Sequence, residues 1–346
     1  MKKNLLVTLA NKNYVKQAKA LFSSAYFNAG WKGDYMLLSH EIPEKELKWF
    51  RKKGILVKKC KPLAKGYYCK MHPCLLDKFY LLTPEFKKWK TVIYLDGDII
   101  VRGSLDELTK VPGFSGVRDI FKLPISVNFH KNPAEKLLSL KKECNLKKAG
   151  FNSGVIAFDT CIINKKLRKN IFAKIKKYLE IANGDQPLLN IIFNKETSFL
   201  PSVFNVYIPN YSKVYLNIAK RREAIVLHFC SGDKPWLKNS PFYKEWKSNL
   251  DKSNLFDLSK ALTAKKIFNK KDARNFEGYL KSIKRKINNN RWLGELYKRK
   301  DYNNYKKLLF KCILEDGLFF WRREIFYYFA SFFPKKTKDK IKKLLN

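Results

Sequence analysis

Short apolar segments alternate with segments of helical periodicity through most of the sequence, and this alternation limits the folds that the chain can adopt. Strands that alternate with helices imply crossover connections, which place the strands in parallel within a sheet flanked by helices. We therefore predict an α/β fold, in which ligands bind at the carboxyl ends of the strands. The predicted strands are 4–10, 34–39, 54–59, 91–101, 150–159 and 224–230, and the predicted helices are 15–29, 44–53, 70–82, 163–182 and 185–193.

Two aspartates interrupt the apolar segment VIYLDGDIIV (92–101). In a strand, Asp96 and Asp98 would point their carboxylates to the same side, and Gly97 between them would leave room for a ligand. Adjacent carboxylates raise each other's pKa unless a cation lies between them. Oxygen ligands at a strand end suit Mg²⁺ or Mn²⁺ held against a nucleotide. On spacing alone, a polar strand end without a metal is the alternative.

Length and composition indicate one large folded domain followed by a smaller region. The chain has 346 residues, of which 45% are hydrophobic and 15% aromatic, and these values exclude a disordered chain. After about residue 260 the sequence changes to short basic and aromatic segments of helical character. We therefore predict an α/β domain over 1–260 and a basic helical region over 261–346.

The chain is strongly basic, with 72 Lys and Arg residues, 30 Asp and Glu residues and a formal net charge of +42. Such a charge favours polyanionic partners, namely nucleic acid, an anionic membrane surface or phosphorylated substrates. The lysines are spread along the whole chain, so a general compositional bias is the alternative. A nucleic-acid-binding protein is a rival interpretation, although no zinc-finger, RNP or helix-turn-helix signature is present.

The cysteines and the N-terminal segment bear on the compartment. The seven cysteines are an odd number without a Cys-x-x-Cys pair, which favours neither a disulfide framework nor a thiolate zinc site. The basic start is followed by an apolar stretch too short for a signal peptide. No run reaches the roughly 20 apolar residues of a membrane span. We expect a cytoplasmic protein, either free or peripheral on the inner face of the cytoplasmic membrane.

The segment VIYLDGDIIVRGSLDEL (92–108) resembles glycosyltransferase family 8, which includes glycogenin and bacterial lipopolysaccharide galactosyltransferases. Further segments resemble that family in the expected order, and together they cover roughly residues 3–250. They are VTLANKNYVKQAKALFSSA, LLDKFYLL (75–82), GFNSGVIAFD, NGDQPLLN (183–190) and LHFCSGDKPW (227–236). The resemblance implies a GT-A, Rossmann-like fold with a mixed, mainly parallel sheet flanked by helices. It also implies a metal-dependent transfer of a hexose from a UDP-sugar with retention of configuration.

The resemblance also implies roles for individual residues. For a site of two carboxylates and one imidazole, Mn²⁺ is somewhat better suited than Mg²⁺. The implied metal ligands are Asp96, Asp98 and His228. The implied contacts of the nucleotide sugar are Leu9, Ala10, Asn11 and Tyr14 with uracil and ribose, Lys78, Gly232 and Lys234 with the phosphates, and Asp119 and Ser153 with the sugar. The implied catalytic residues are Asn152, Asp185 and Gln186.

Local sequence alone gives each of these motifs an ordinary structural alternative. The alternatives are a helix-start position for Tyr14, a solvated lysine for Lys78, a turn for Asn152 and Ser153, a helix cap for Asp185 and a core imidazole for His228. Two positions also depart from the family pattern. Lys12 lies where an acidic residue is common, and Gly232 follows one residue later than the family's glycine, which leaves Ser231 in that place.

Two routes to retention stay open at this point. The first is front-face attack by the acceptor hydroxyl, in which a diphosphate oxygen accepts the proton and Gln186 orients the sugar. The second is a double displacement through Asp185. An inactive GT-A module that only binds a sugar nucleotide is a further rival, against which the intact metal and lysine motifs argue.

The C-terminal segment GLFFWRREIFYYFASFFPKK (317–336) mixes large aromatic residues with Arg and Lys. Aromatic rings beside cations suit the lipid–water interface, and anionic headgroups attract lysines. We therefore predict association with an anionic membrane surface and a lipid-linked glycan or lipopolysaccharide acceptor. An amphipathic helix that packs on the catalytic domain is the alternative.

Overall fold

The structure is a computed structural model that describes residues 3–63, 72–118, 124–299, 301–316, 321 and 324–325. The chain divides into two compact units, Met1–Glu277 and Gly278–Asn346. The strands are β1 (Leu5–Asn11), β2 (Asp34–His40), β3 (Leu56–Cys60), β4 (Thr91–Leu95), β5 (Ile99–Val101), β6 (Phe114–Arg118), β7 (Phe151–Asp159), β8 (Thr197–Leu200), β9 (Val206–Tyr207) and β10 (Val226–His228). The α-helices are α1 (Val15–Ala29), α2 (Glu44–Lys52), α3 (Ala134–Glu143), α4 (Lys165–Tyr178), α5 (Asp185–Ile192), α6 (Lys213–Ala219), α7 (Tyr243–Lys252), α8 (Lys270–Lys298) and α9 (Tyr302–Asp316).

A seven-stranded sheet forms the centre of the first unit, with the strand order β3-β2-β1-β4-β7-β6-β8. The strands β3, β2, β1 and β4 run parallel to one another. Strand β7 is antiparallel to both of its neighbours, and β8 is parallel to β6. The predicted α/β fold with a mixed, mainly parallel sheet is confirmed.

The segment predicted as one strand over 91–101 is divided between two sheets, so that prediction is wrong. Strand β4 lies in the large sheet, whereas β5 lies in a three-stranded sheet of order β5-β10-β9. Between them the Asp96 backbone N–H still donates to the carbonyl of Gly154 in β7, while the Asp98 carbonyl already accepts from the Phe229 backbone N–H, just after β10. Asp-Gly-Asp therefore forms the turn between the sheets, as the turn preference of Asp and Gly explains. Because Asp96 and Asp98 lie in a turn, strand alternation does not bring their carboxylates to the same side, contrary to the prediction.

Other elements differ from the prediction mainly in type or length. The segment predicted as a helix over 70–82 is a 3₁₀-helix from Pro73 to Leu82, and residues 70 and 71 lie outside the described part. The helix predicted over 163–182 is α4 followed by a 3₁₀ turn, and the strand predicted over 224–230 shortens to β10. The elements β6, β8, β9, α3, α6 and α7 were not predicted, because short segments with mixed polarity carry little periodicity.

Strand β7 brings backbone and side chains to the end of the large sheet where β4 stops. It is buried except at Asn152 and Asp159. Because β7 is antiparallel to β4, its N-terminal end lies beside the carboxyl end of β4, and Val155 pairs with Leu95. Aromatic packing holds β7 in place, since the ring of Phe114 on β6 stacks between those of Phe158 and Phe193 at centroid distances of 6.2 and 3.7 Å.

The stretch that follows α7 belongs to the first unit and contacts its earlier elements. The Tyr26 hydroxyl donates to the carbonyls of Asp257 and Lys260 at 2.6 and 3.1 Å. The Lys266 carbonyl accepts from the Ser104 backbone N–H, and Phe268 stacks on Phe204 at 5.2 Å. The roles predicted for 1–260 and 261–346 stay predictions.

The second unit has a small core of its own between α8 and α9. Its buried members are Leu293, Tyr305, Leu309, Cys312 and Trp321. Arg285 on α8 binds Asp316 on α9 at 2.6 Å.

Two further observations concern the predicted membrane association and the cysteines. Most of the aromatic segment 317–336 lies outside the described residues, so its predicted membrane association stays a prediction. None of the helices within the described ranges is long and apolar enough to span a membrane. The described cysteines are free thiols.

Candidate active site

Two carboxylates and one imidazole meet at the turn between the two sheets. The His228 Nε2 atom lies 3.3 Å from Asp98 Oδ1 and 3.7 Å from Asp96 Oδ2. One ligand atom from each of the three residues lies within 4.8 Å of the other two. The antiparallel pairing of β10 with β5 brings His228 opposite Ile99 and so beside the turn. Two carboxylate oxygens and an imidazole nitrogen at this separation fit a divalent cation such as Mn²⁺.

Lys234 supplies a cation on one side of this cluster. Its ammonium group lies 2.5 Å from Asp98 Oδ2 and also donates to the Phe229 carbonyl at 2.5 Å. Burial alone would raise the pKa of Asp98, but His228 and Lys234 lower it more, and the pKa lies well below its ordinary range. Asp98 is therefore a carboxylate, which is the form that binds metals.

Lys78 lies on the other side of the cluster and is buried beneath it. Its ammonium group binds Asp96 at 3.1 Å and Asp185 at 2.7 Å, and it also donates to Ser153 Oγ at 3.3 Å. Burial alone would lower the pKa of Lys78, but Asp185 and Asp96 raise it above its ordinary value. The alternative of a solvated lysine is therefore wrong, and the predicted phosphate contact of Lys78 stays a prediction.

Tyr94 holds the first of the two aspartates, and the sequence analysis missed it. Its hydroxyl donates to Asp96 Oδ1 at 2.7 Å. Burial and the neighbouring Asp96 raise the pKa of Tyr94 well above its ordinary value, so the phenol keeps the proton that it donates. Tyr94 lies two residues before Asp96 at the end of β4, but an aromatic residue in an apolar strand looks like any core residue, so its contact with Asp96 was not predicted.

A cavity of about 300 Å³ adjoins the cluster. All four residues predicted to contact the base and ribose line it, together with both aspartates: Leu9, Ala10, Asn11, Tyr14, Asp96 and Asp98. The ring of Tyr14 packs edge-on against Trp236 at 5.7 Å. Burial, then Asp98 and Asp96, raise the pKa of Tyr14 to about 12. The 3₁₀-helix region adds His72 and Cys74 to the lining, and the sequence analysis had not assigned either to the site.

Ser153 and two of the residues predicted to be catalytic, Asn152 and Gln186, form a connected group at the start of β7 and α5. Gln186 Oε1 accepts hydrogen bonds from Asn152 Nδ2 and from the Ser153 backbone N–H, both at 3.1 Å. Asn190, which the sequence analysis missed, holds α5 to β7 because its side chain both accepts from and donates to the Phe151 backbone at 2.9 Å.

The third residue predicted to be catalytic is Asp185, for which a helix cap was the alternative. Gly184 occupies the N-cap position of α5 with a φ of 89°, and Asp185 is the first residue of the helix. The carboxylate of Asp185 binds Lys78, so its side chain serves the ion pair. The capping alternative is therefore wrong.

Gly154 leaves the space in which the imidazole of His228 sits. A Cβ atom at Gly154 would lie 2.1 Å from His228 Cε1 and 2.8 Å from Nε2. Cβ atoms do not approach other heavy atoms this closely, so only glycine fits between β7 and His228. The glycine of the GFNSG segment thereby has a structural reason that the sequence analysis had not identified.

For Asp119 and Gly232, the described residues show no contact that bears on their predicted roles. Asp119 lies outside the described residues. A Cβ atom at Gly232 would meet no atom within 4 Å, and the hydroxyl of the preceding Ser231 donates to the Pro209 carbonyl. The predicted contacts of both residues with the donor stay predictions.

Comparisons with known proteins agree with this geometry. The profile of the family "Glycosyl transferase family 8" matches residues 5–240. The glycosyltransferase GlyE of Streptococcus pneumoniae serotype 4 is 28% identical over 166 residues, which are 44% of this chain and 35% of GlyE. Galactinol synthase 1 of Solanum lycopersicum is 24% identical over 57% of this chain and 61% of its own length. This chain thus spans less than two thirds of either relative.

A solved structure extends the similarity to the fold. The galactosyltransferase LgtC, in complex with donor and acceptor sugar analogues, superposes with a TM-score of 0.52 and 16% identity over 71% of this chain and 95% of LgtC. At this identity the likeness concerns the fold, which is GT-A. The family match itself covers more than half of the chain and confirms the resemblance inferred from the motifs. The chain therefore belongs to glycosyltransferase family 8.

Proposed function

We propose that this protein is a metal-dependent, retaining glycosyltransferase that moves a hexose from a UDP-sugar to a glycan or glycolipid acceptor. The observation that carries the proposal is the cluster of Asp96, Asp98 and His228 at the mouth of a cavity lined by the end of β1. Family 8 enzymes of the GT-A fold use a divalent metal and a nucleotide sugar, and this donor set suits Mn²⁺. Synthesis of surface polysaccharide or lipopolysaccharide is the setting that we propose.

Charge stabilisation is the main catalytic contribution that these residues make. Glycosyl transfer has an oxocarbenium-like transition state, and the departing diphosphate gains negative charge. Asp96, Asp98 and His228 would hold a metal ion, which supplies positive charge to the leaving group when bound. Lys234 lies 2.5 Å from Asp98 and provides a second cation beside the same leaving group. Tyr94 holds Asp96 in place through its hydroxyl.

The surroundings of Asp185 favour front-face attack over a double displacement. Asp185 is 5% exposed, and its carboxylate is bound to the buried ammonium group of Lys78 at 2.7 Å. To attack an anomeric carbon, this carboxylate would have to leave its ion pair. We therefore propose that the acceptor hydroxyl attacks on the face of the leaving group and passes its proton to a diphosphate oxygen.

Binding of UDP tests the proposed donor. Isothermal calorimetry of the purified chain is expected to show UDP binding with Mn²⁺ and at least about tenfold weaker binding in EDTA, because the metal neutralises the diphosphate. Asp98→Asn is expected to weaken binding in Mn²⁺ to the level seen in EDTA. Asp159→Asn is the control, because Asp159 lies at the far end of β7 and caps a 3₁₀ turn, which asparagine also does.

Two results would count against the proposal. Absence of UDP binding in both conditions would exclude a UDP-sugar as the donor. UDP binding that is equal in Mn²⁺ and EDTA would exclude a role for the metal in holding the diphosphate. If binding behaves as expected, turnover of UDP-glucose, UDP-galactose and their N-acetyl forms identifies the sugar.

We further propose that the protein associates with an anionic membrane surface, where it would meet a lipid-linked acceptor. The support is the net charge of +42 and three large side chains that the second unit exposes. Trp292 on α8 is 60% exposed, and Phe310 and Leu314 on α9 are 63% and 72% exposed. Apolar side chains insert at the headgroup boundary, and each lysine near an anionic surface adds about 1 kcal/mol.

Vesicle sedimentation tests this association. The protein is expected to sediment with phosphatidylglycerol vesicles and not with phosphatidylcholine vesicles, and added salt is expected to weaken the binding through screening. Phe310→Ser together with Leu314→Ser is expected to weaken it further, whereas Leu255→Ser, at an equally exposed leucine of the first unit, should leave it unchanged. Binding to RNA that exceeds binding to anionic vesicles at the same salt would instead favour a nucleic-acid partner.

A further inference from the structure

A chain of side-chain amides connects the imidazole of the metal cluster to Gln186. The His228 Nδ1 atom lies 2.9 Å from Asn205 Oδ1. Asn205 Nδ2 donates to Asn152 Oδ1 at 2.9 Å, and Asn152 Nδ2 donates to Gln186 Oε1 at 3.1 Å. Asn205 follows a short 3₁₀-helix just before β9 and is only 6% exposed. The sequence analysis assigned no role to Asn205.

Two backbone groups fix which end of each amide is oxygen. The Ser153 N–H donates to Gln186 at 3.1 Å, and the Gly154 N–H donates to Asn152 at 3.0 Å. A backbone N–H can only donate, so the atom that it meets must be the amide oxygen in each case. The nitrogen of Asn152 then faces Gln186. Because the oxygen of Asn152 also meets Asn205, it must be the nitrogen of Asn205 that lies there.

The same logic sets the tautomer of the histidine. With its nitrogen bound to Asn152, Asn205 presents its oxygen to His228 Nδ1, and an oxygen can only accept. The proton of the neutral imidazole must therefore be on Nδ1, which leaves the lone pair on Nε2. Nε2 is the atom that lies beside Asp98 and Asp96, at 3.3 and 3.7 Å. A metal-binding histidine needs a neutral ring with its lone pair toward the metal, and the hydrogen bond at the other nitrogen fixes that arrangement.

The amide chain also defines what Gln186 can offer to a ligand. Its carbonyl oxygen already accepts two hydrogen bonds, from Asn152 and from the Ser153 backbone. The groups that remain are the two N–H bonds of its amide nitrogen. Gln186 is therefore arranged as a donor, which suits a residue that orients a sugar oxygen and does not suit a nucleophile.

We propose that Asn205 is a positioning residue that holds His228 in the Nδ1–H tautomer for metal binding and, through Asn152, holds Gln186 as a hydrogen-bond donor. This rests on the proposed metal function of Asp96, Asp98 and His228. Metal affinity and the orientation of Gln186 then depend on one asparagine that itself lies outside the set of metal ligands.

The tautomer can be read without metal by NMR of histidine labelled with ¹⁵N in the imidazole ring. The wild-type protein, above the pH at which the ring is protonated, is expected to show His228 with its proton on Nδ1, and His228→Gln assigns the signal. Asn205→Leu removes the acceptor, so the signal is expected to shift toward the Nε2–H tautomer. Asn205→Asp keeps an acceptor for the ring and is expected to retain the Nδ1–H signal.

Mn²⁺ affinity, measured by electron paramagnetic resonance of the free ion, is the second readout. Asn205→Leu is expected to weaken Mn²⁺ binding about 10- to 100-fold, the usual effect of losing the partner of a metal-binding histidine. Asn205→Asp is expected to bind Mn²⁺ nearly as well as the wild type and still to lose turnover, because a carboxylate cannot donate to Asn152. Asn249→Leu is the control, since Asn249 is equally buried on α7 and its side-chain oxygen accepts from Asn28 and not from a residue of the cluster.

The outcomes separate this proposal from the function on which it rests. Unchanged tautomer and unchanged Mn²⁺ affinity in Asn205→Leu would overturn the role of Asn205, as would an Nε2–H tautomer in the wild type. If the wild type failed to bind Mn²⁺ at all, the proposed metal function would fail. The spectrum of the metal-free protein would still decide whether Asn205 sets the tautomer.

Discussion

Gly154→Ala is expected to weaken Mn²⁺ binding by roughly 100-fold or more, beyond the usual cost of disturbing the partner of a metal-binding histidine. The added methyl group would lie 2.1 Å from His228 Cε1 and 2.7 Å from Nδ1. His228 is 3% exposed and is bound through Nδ1 to Asn205, so the ring cannot move aside without losing that hydrogen bond. The imidazole would be displaced from Asp96 and Asp98, and overpacking would also cost about 1–3 kcal/mol of stability.

Electron paramagnetic resonance of Mn²⁺ and urea unfolding measure the two effects of this substitution separately. Gly294→Ala is the matched control, because a methyl group at this position of α8 would meet no atom within 4 Å. It should leave Mn²⁺ affinity unchanged and should stabilise the helix slightly. Undiminished Mn²⁺ affinity in a folded Gly154→Ala protein would show that His228 does not contribute to the metal site.

Lys78→Met is expected to lower the free energy of unfolding by about 3–5 kcal/mol, the usual cost of removing one partner from a buried ion pair. Lys78 is 2% exposed, and its ammonium group is shared by Asp96 and Asp185 at 3.1 and 2.7 Å. Without the cation, the buried carboxylate of Asp185 and the partly buried carboxylate of Asp96 would lie close together with no charge between them. Methionine keeps most of the side-chain volume, so the loss reports on charge and only slightly on packing.

Urea unfolding of a small set of variants tests the origin of this loss. Lys48→Met, on the exposed face of α2, is the control and should change the stability by less than about 0.5 kcal/mol. The double variant Lys78→Met with Asp185→Asn should recover part of the loss, because it removes one of the two uncompensated charges. An unchanged unfolding midpoint in Lys78→Met would mean that water or rearrangement already compensates the carboxylates.

Elements with strong local signals were predictable from the sequence. Helix α1 has the predicted bounds, because an apolar face leads to Gly30, which adopts a φ of 58° and ends the helix in the left-handed conformation. The alternation of strands and helices correctly predicted a largely parallel sheet, whereas the antiparallel β7 follows from the GT-A fold and not from the alternation. Strand β6 was missed, since its five residues include Ser115 and Gly116, and such a short segment has no clear period.

The site was partly predictable, and the missing residues share one property. The Asp-x-Asp pair and the His228 motif are recognisable along the chain, and the structure brings them together. Tyr94, Asn190 and Asn205 belong to no recognisable motif. Tyr94 looks like a core residue of β4 although Asp96 is only two positions away, whereas the fold brings Asn190 and Asn205 to their partners. Asn205 and Asn152, for example, are 53 positions apart. The segment 91–101 was wrongly predicted as one strand, because it is apolar on both sides of the turn. Hydrophobicity alone therefore does not show that β4 and β5 belong to different sheets.

Because the turn at Asp96–Asp98 joins the two sheets, a metal ion bound there would also stabilise their connection. Asp96 is still tied to the large sheet through the Gly154 carbonyl, whereas Asp98 and His228 belong to the three-stranded sheet. An ion held by all three would cross-link the two sheets, which the short polar turn and the hydrogen bond between Asn205 and Asn152 also join here. Metal binding would then stabilise the folded state of the smaller sheet, because the unfolded chain does not offer the three ligands together. Metal content would thus set the rigidity of the strands that carry the leaving-group residues.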